Sequence, residues 1–182
     1  MKRSVLALLA LALPTFVFAA QVQNAPRAEG AKVTGFRAEF LANLDEVQGK
    51  ITDLANAVPA EKYGWRPAPD VRSISEVFMH VAGGNYFLAT FVGTQPPADM
   101  PKDLEKITDK AKVVAELKRS FDHIRAVVAK TSDADLEKKV KVFGNDTTYR
   151  GVFMTMLSHL HEHLGQSIAY ARSNGVVPPW SR

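Results

Sequence analysis

The chain has 182 residues, of which 46% are hydrophobic and 23% are charged. This length and balance suit one globular domain and exclude a chain that is disordered throughout. The 23 basic and 19 acidic residues give a formal charge of +4, and no basic stripe with interleaved aromatic residues predicts nucleic-acid binding. The sequence contains no cysteine, which excludes a disulfide framework and a thiolate metal site.

Residues 1–19 have the order of a secretory signal peptide. Lys2 and Arg3 precede an almost wholly apolar stretch, and a cleavage position follows Ala19. The alternative is an uncleaved membrane anchor, for which the apolar run is short, because a span needs about 20 residues. Cleavage predicts a periplasmic or secreted protein without a stable membrane anchor. It also removes two basic residues and leaves 21 basic against 19 acidic residues, a charge of +2.

A polar, flexible lead-in over residues 20–32 is expected to precede the folded domain, which spans residues 33–180. The first helix is predicted by apolar residues at steps of three and four, and Pro59 marks its end. These residues are Phe36, Phe40, Leu44, Val47, Ile51, Leu54 and Val58. A proline-rich connection over residues 59–72 follows. Ser73 and Glu76 then have the spacing of a capping box, which predicts a second helix from about Ile74 to Phe91.

A long crossing link over residues 93–106 leads to a third helix at about residues 108–130. Residues 131–146 are mixed and polar, with a short extended piece that includes Val140, Val142 and Phe143 and a turn at Gly144-Asn145. A fourth helix is predicted over about residues 148–173. Four long helices without a convincing sheet predict an all-α protein, a four-helix bundle with long connections.

Three of the five histidines have the spacing of a metal site. His159 and His163 are four residues apart, so they share one face of the fourth helix. His80 lies on the second helix beside Gly83 and Gly84, and two adjacent glycines inside a helix indicate a need for space. Three neutral imidazoles without a thiolate suit Zn²⁺, Ni²⁺ or Fe²⁺, and they leave coordination positions open.

The other candidate residues have simpler interpretations. His123 is expected to be solvated, and His161 is expected to point away from the pair. Glu76 lies one turn before His80 and could act as a base, but the capping box is the favoured role. A single buried histidine is more often a hydrogen-bonded core residue than a ligand. No catalytic residue is assigned, because the sequence offers no clear general base: Leu160 stands where an HExxH motif has glutamate.

Two separated motifs resemble those of DinB-like proteins. The first is Trp65-Arg66-Pro67-Ala68-Pro69, then Ser73 and the helix leading to His80. The second runs from His159 to Gln166 and continues to Arg172, Gly175 and Pro178-Pro179-Trp180. The resemblance covers about residues 33–180. It implies a four-helix bundle with an up-down-down-up course, one divalent ion (most often zinc or nickel) on His80, His159 and His163, and pairing as a homodimer.

Characterised relatives of DinB-like proteins include thiol-dependent transferases and isomerases. Most such proteins are cytoplasmic, and low-molecular-weight thiols are abundant inside the cell, so the predicted export weakens a thiol-transferase role. Three functions stay open at this stage. They are a metal-dependent enzyme of transferase or hydrolase type acting on a small molecule, a non-catalytic periplasmic protein that binds a metal or ligand, and a structural helical domain whose histidines are core residues.

Overall fold

The computed structural model describes residues 33–181, so the predicted signal peptide and lead-in lie outside the described residues. The helices are α1 (Gly35–Ala57), α2 (Ile74–Thr90), α3 (Lys110–Lys130) and α4 (Tyr149–Ser173), and a hairpin of β1 (Lys139–Val142) and β2 (Asn145–Thr148) precedes α4. Single 3₁₀ turns lie at Ala60–Lys62, Leu104–Lys106, Asp135–Glu137 and Pro179–Ser181. Across the described range, no helix is both long and apolar enough to cross a membrane.

Capping hydrogen bonds and local backbone preferences determine where the helices begin and end. Ser73 Oγ accepts from the Glu76 backbone N–H at 3.3 Å, and the Glu76 carboxylate accepts from the Ser73 N–H at 2.6 Å, so the predicted capping box starts α2. Asp109 caps α3 in a similar way and Thr148 caps α4. At the end of α1, Val58 adopts an extended conformation, as the residue before a proline prefers.

Contacts at the two ends of the bundle define the direction of each helix. Lys110 Nζ, at the start of α3, donates to the carbonyl oxygens of Asn56 and Val58 at the end of α1. Tyr63, which precedes α2, donates through its hydroxyl to the carbonyl of Ala55 at 2.6 Å. The end of α1 therefore lies beside the starts of α2 and α3.

At the opposite end, the Arg150 guanidinium at the start of α4 lies over the Phe36 ring of α1, 4.9 Å from its centroid. Helices α1 and α4 therefore start together, and the course is up-down-down-up. This confirms the predicted all-α four-helix bundle. It also explains the long links, because residues 91–109 must return along the bundle before α3 starts.

Helix α2 packs against both α3 and α4, and this position brings its inner face onto the two histidines of α4. The core is closed by large side chains from all four helices, including Phe40 of α1 and Phe153 of α4, whose ring centroids are 5.0 Å apart. Two buried polar pairs link α2 to α3: Tyr86 donates to Glu116 at 2.8 Å, and Asn85 donates to Ser120 at 3.0 Å.

The segment before α4 differs from the sequence-based expectation. The predicted extended piece contributes only β1, which pairs with the unpredicted β2 in an antiparallel hairpin where Val142 lies opposite Asn145. The turn is Phe143-Gly144 rather than Gly144-Asn145, with φ of 50° and 84° at its two central residues. Positive φ at both positions is the pattern of a type I′ turn, whose twist matches that of the flanking strands.

Candidate metal centre

The structure brings together the three histidines that the sequence analysis selected. We call His80, His159 and His163 the histidine cluster. One ring nitrogen from each lies within 4.8 Å of the other two. The ring centroids are 5.2 Å apart for His80 and His159, 4.7 Å for His80 and His163, and 4.5 Å for His159 and His163. The cluster thus joins one side chain of α2 to two side chains, one turn apart, on α4.

The close approach of α2 and α4 depends on one of the two adjacent glycines. A Cβ atom on Gly84 would lie 2.3 Å from Cε1 of His159 and 2.9 Å from its Nδ1, distances at which the ring must move. A Cβ atom on Gly83 would lie 3.7 Å from Cδ1 of Leu104, an ordinary van der Waals contact. The need for space that the glycine pair indicated therefore belongs to Gly84.

Hydrogen bonds fix the orientation of two of the three imidazoles. Nδ1 of His80 lies 3.0 Å from Oε1 of Glu105, and Nδ1 of His163 lies 2.9 Å from Oε1 of Gln166. A carboxylate oxygen and an amide oxygen only accept hydrogen bonds, so the proton of each ring is on Nδ1 and the lone pair is on Nε2. Partners of this kind orient the histidine ligands of metal sites and raise their basicity.

The outer partners are themselves held in place. Arg72 contacts Glu105 with its Nε at 3.1 Å from Oε2. Gln166 donates through Nε2 to the Tyr170 hydroxyl at 3.0 Å, which turns its amide oxygen toward His163. Trp65 packs edge-on against Tyr170 at 5.4 Å between ring centroids. The proline-rich connection before α2 thus folds back onto the side of α4 that carries the cluster.

The distance between two ring nitrogens fits a shared cation. Nε2 of His159 lies 3.3 Å from Nε2 of His80. Two nitrogens on a tetrahedral zinc ion, each about 2.0–2.1 Å from the metal, are separated by about 3.3 Å. The donor set is nitrogen only, as expected for zinc, nickel or ferrous iron. The buried Nδ1 of His159 finds no hydrogen-bond partner within residues 33–181.

The surroundings of His80 and His159 favour the neutral imidazole, which is the form that coordinates a metal. Burial lowers the pKa of His159 to about 4, and the neighbouring His163, His80 and Arg72 act in the same direction. Burial also lowers the pKa of His80, as does the Arg72 charge, while the hydrogen bond from His80 to Glu105 partly offsets both.

A cavity of about 600 Å³ opens beside the cluster and reaches His80 and His159. Most of its lining surface is apolar, and Lys102, Asp103 and Phe143 are among the residues that line it. This volume lies within the range of about 300–1,000 Å³ that is usual for small-molecule sites. A ligand in the cavity would have direct access to the space between the ring nitrogens.

The remaining sequence candidates lie elsewhere. His161 is exposed, and its Nδ1 lies 2.8 Å from the Leu157 carbonyl oxygen, as its helical position predicts. The prediction of a solvated His123 is wrong: the side chain is half-buried against the Tyr86 ring, 5.2 Å away between centroids, and burial lowers its pKa.

Glu76 serves the capping box and pairs with Arg66 at 2.8 Å, which confirms the favoured role.

Sequence reasoning missed Glu105. The residue lies in the long crossing link, 25 positions from His80, within the 3₁₀ turn Leu104–Lys106. Leu104, which precedes it, is buried beside α2 and anchors the turn. Glu105 and the lysine after it lie in an irregular link, where no helical or strand periodicity indicates which side chain faces the site. The one available indication was the apolar Leu104 in an otherwise polar and proline-containing stretch.

Solved structures with the same fold share little sequence identity with this chain. A DinB-like protein from Bacillus cereus is 16% identical and has a TM-score of 0.69, with 78% of this chain and 95% of that chain covered. A DinB-like protein from Bacillus subtilis is 17% identical, with a TM-score of 0.61 and coverage of 75% and 92%. A conserved protein from Enterococcus faecalis is 13% identical, with a TM-score of 0.65 and coverage of 77% and 97%. These likenesses establish the fold.

No curated protein matches the chain. A profile of the DinB superfamily matches residues 43–167, which include all three histidines of the cluster and the whole of α2 and α3. The match extends over more than half of the chain, and it agrees with the up-down-down-up bundle. The chain therefore belongs to the DinB superfamily.

Proposed function

We propose that the histidine cluster binds one divalent metal ion through Nε2 of each imidazole. The observation that carries this proposal is the pairing of Nδ1 of His80 with Glu105 and of Nδ1 of His163 with Gln166, which leaves the Nε2 lone pair of each of these two rings available to a metal. The separation of 3.3 Å between Nε2 of His80 and Nε2 of His159 supports it independently. Zinc or nickel is the expected ion and ferrous iron is a third candidate, because all three accept several imidazole ligands.

Elemental analysis of the untagged protein, purified without added metal, tests this proposal. We expect about one zinc, nickel or iron atom per chain, since three imidazoles form one site. His80→Ala and the double variant His159→Ala/His163→Ala should lose the ion. His161→Ala is the matched control, because His161 lies between the two α4 ligands but faces away from them. Absence of metal after soaking with Zn²⁺ and Ni²⁺ would instead favour a structural helical domain.

We further propose that the protein is a metal-dependent enzyme acting on a small molecule, by transfer or hydrolysis. An ion held by three protein ligands keeps a coordination position for water or substrate and can acidify a bound water. The chain supplies a largely apolar cavity that is lined in part by His80 and His159 and could hold a substrate beside them. Screening small-molecule transferase and hydrolase substrates should reveal turnover that a chelator removes and added zinc restores. Turnover that survives complete metal removal would contradict this.

A non-catalytic binding protein is the second candidate, and one observation favours it. Glu105 is the carboxylate beside His80, and its oxygens are already engaged by His80 and Arg72. A base occupied in this way is poorly placed to accept a proton from substrate. This function predicts saturable binding of a ligand by the metal-loaded protein with no product in the same screen. A product that requires the metal would exclude it.

We propose that the protein acts outside the cytoplasm, as the order of residues 1–19 indicates. Expression of the full chain in a bacterial host, followed by separation of periplasm and cytoplasm, tests this. The periplasmic product should begin at Ala20. Recovery of the intact chain in the membrane fraction would favour an uncleaved anchor.

A further inference from the structure

The tip of the β1–β2 hairpin carries a residue that the turn itself disfavours. Phe143 has φ of 50°, a left-handed conformation in which asparagine and glycine are common and a bulky aromatic residue is unusual. Its side chain is also 70% exposed, so burial in the core does not explain the choice. Strained backbone of this kind is concentrated at functional sites, so the contacts of the Phe143 ring are relevant to function.

Phe143 belongs to a group of three aromatic side chains on the surface. Phe87 is 50% exposed on α2, and its ring centroid lies 6.0 Å from that of Phe143. Phe91 follows one turn later, 5.2 Å from Phe87 and 6.1 Å from Phe143. We call Phe87, Phe91 and Phe143 the aromatic mouth. Among the large hydrophobic side chains of residues 33–181, two of the three most exposed thus lie together.

The aromatic mouth borders the cavity that leads to the histidine cluster. Phe87 and Phe143 both line the cavity, together with the buried side chains of Met79, Leu88 and Leu104. His80 and His159 line it as well. The cavity wall therefore combines two exposed aromatic rings, buried aliphatic side chains and two imidazoles of the histidine cluster.

We infer that this cavity binds a small molecule with a flat, apolar body, aromatic or similar in size, and a polar group at one end. The body contacts Phe87 and Phe143, and the polar group reaches the histidine cluster. Phe143 is thus a specificity-determining residue, positioned by the hairpin. The location of the polar group rests on the proposed metal site, whereas the binding of the apolar body depends only on the cavity walls.

The turn offers a variant that separates ligand binding from folding. Phe143→Asn would create Asn-Gly at the two central positions, the preferred pair for a type I′ turn. We expect the thermal unfolding temperature to stay the same or rise, because asparagine tolerates the positive φ of 50° better than phenylalanine. Apolar ligand binding should weaken, because one wall of the entrance is removed. Val177→Asn is the matched control, since Val177 is 48% exposed but does not line the cavity.

Two probes distinguish this inference from the metal proposal. N-Phenyl-1-naphthylamine has an apolar body without a strong metal-binding group, and its fluorescence reports transfer from water. We expect saturable binding to metal-free and zinc-loaded protein, weakened about tenfold in Phe143→Asn and unchanged in Val177→Asn, because losing one aromatic wall forfeits an appreciable apolar contact. No binding to the wild-type protein, or equal binding to Phe143→Asn, would overturn the inference.

The second probe pair is acetohydroxamate and benzohydroxamate, which share a metal-binding head and differ in the apolar body. On zinc-loaded protein, calorimetry should show benzohydroxamate binding about tenfold more tightly, with the preference reduced in Phe143→Asn. If neither hydroxamate binds while the naphthylamine result holds, the metal proposal fails and the cavity inference stands. Equal affinity of the two hydroxamates for the wild-type protein would contradict the cavity inference.

Discussion

The carboxylate of Glu105 lies between Nδ1 of His80 and the guanidinium of Arg72, and it reaches the cluster from the link between α2 and α3. The side chain orients His80 through Nδ1, whereas the proposed ion would bind at Nε2. Its role can therefore be separated from that of a ligand. A positioning residue changes the affinity of the site, whereas loss of a ligand removes the site.

We expect Glu105→Ala to weaken zinc binding about 10- to 100-fold, the usual effect of removing the hydrogen-bond partner of a histidine ligand. Glu105→Gln should recover part of the affinity, because its amide oxygen still accepts from Nδ1–H of His80. Competition with a chromophoric chelator measures both. Glu137→Ala is the control, since Glu137 pairs with Arg150 at 2.7 Å near the start of α4. Affinities equal to wild type in Glu105→Ala would contradict the positioning role.

Gly84 and Gly83 are adjacent glycines of α2 with different surroundings, so substitutions at the two positions can be compared directly. Gly84→Ala would place Cβ 2.3 Å from Cε1 of His159, so the ring must leave its position and metal binding should be lost or fall by more than tenfold. Gly83→Ala meets only Leu104 at 3.7 Å and should bind metal normally, with stability raised by up to about 1 kcal/mol through better helix propensity. Zinc titration followed by urea unfolding checks both. Unchanged affinity in Gly84→Ala would show that α2 and α4 can separate freely.

At the scale of elements, the start of α2 determines where His80 stands. The capping box of Ser73 and Glu76 fixes the first turn, and His80 follows two turns after Ser73. Ser73→Ala should lower the free energy of unfolding by about 1 kcal/mol, within a usual range of about 0.5–2 kcal/mol for loss of an N-cap. Urea unfolding of the metal-free protein measures this. Asn43→Ala, on an exposed face of α1, is the control and should change stability little.

The four helices could be predicted because local sequence determines them. Apolar residues at helical spacing form the inner stripe of α1, with Phe40, Leu44 and Leu54 among its buried members, and Pro59 and the Ser73 cap mark real boundaries. Observed bounds differ from the predicted ones by two residues or fewer at α2, α3 and α4. His159, His163 and their partner His80 were also predictable. The two histidines of α4 are one helical turn apart, and the glycine pair after His80 indicated a close approach.

The hairpin, Glu105 and His123 could not be predicted in the same way. The turn places phenylalanine where asparagine is typical, so its sequence lacks the usual Asn-Gly signal. Glu105 reaches His80 through the path of an irregular link, which no periodicity describes. His123 is half-buried because Tyr86 of the neighbouring helix covers it, a consequence of tertiary packing rather than of its position on α3.

At the scale of the whole molecule, buried histidines make the metal-free protein sensitive to acid. His159 has a pKa of about 4 when folded against an ordinary value of 6.5, and burial also lowers the pKa values of His80 and His123. Between pH 4 and pH 6.5, the unfolded chain therefore binds more protons than the folded chain. The stability that results is fully present above pH 6.5 and is lost as the pH falls toward 4.

We accordingly expect the free energy of unfolding of the metal-free protein to decrease from about pH 7 to about pH 5. Urea unfolding at the two pH values measures the difference. His159→Ala should show a smaller difference than wild type, and His161→Ala should match wild type because its side chain is exposed. Equal stability of the wild-type protein at both pH values would contradict burial of neutral imidazoles.

The cluster joins two residues that are 79 positions apart, in a chain that contains no cysteine. A bound ion would therefore cross-link α2 to α4, as a disulfide can join two distant segments of a chain. Such a link does not respond to reductants, but it opens when a stronger ligand removes the ion. If the proposed metal site and the proposed export both hold, the contact between α2 and α4 would follow the supply of metal outside the cytoplasm rather than the redox potential, and loss of the ion would loosen the bundle at its binding cavity first.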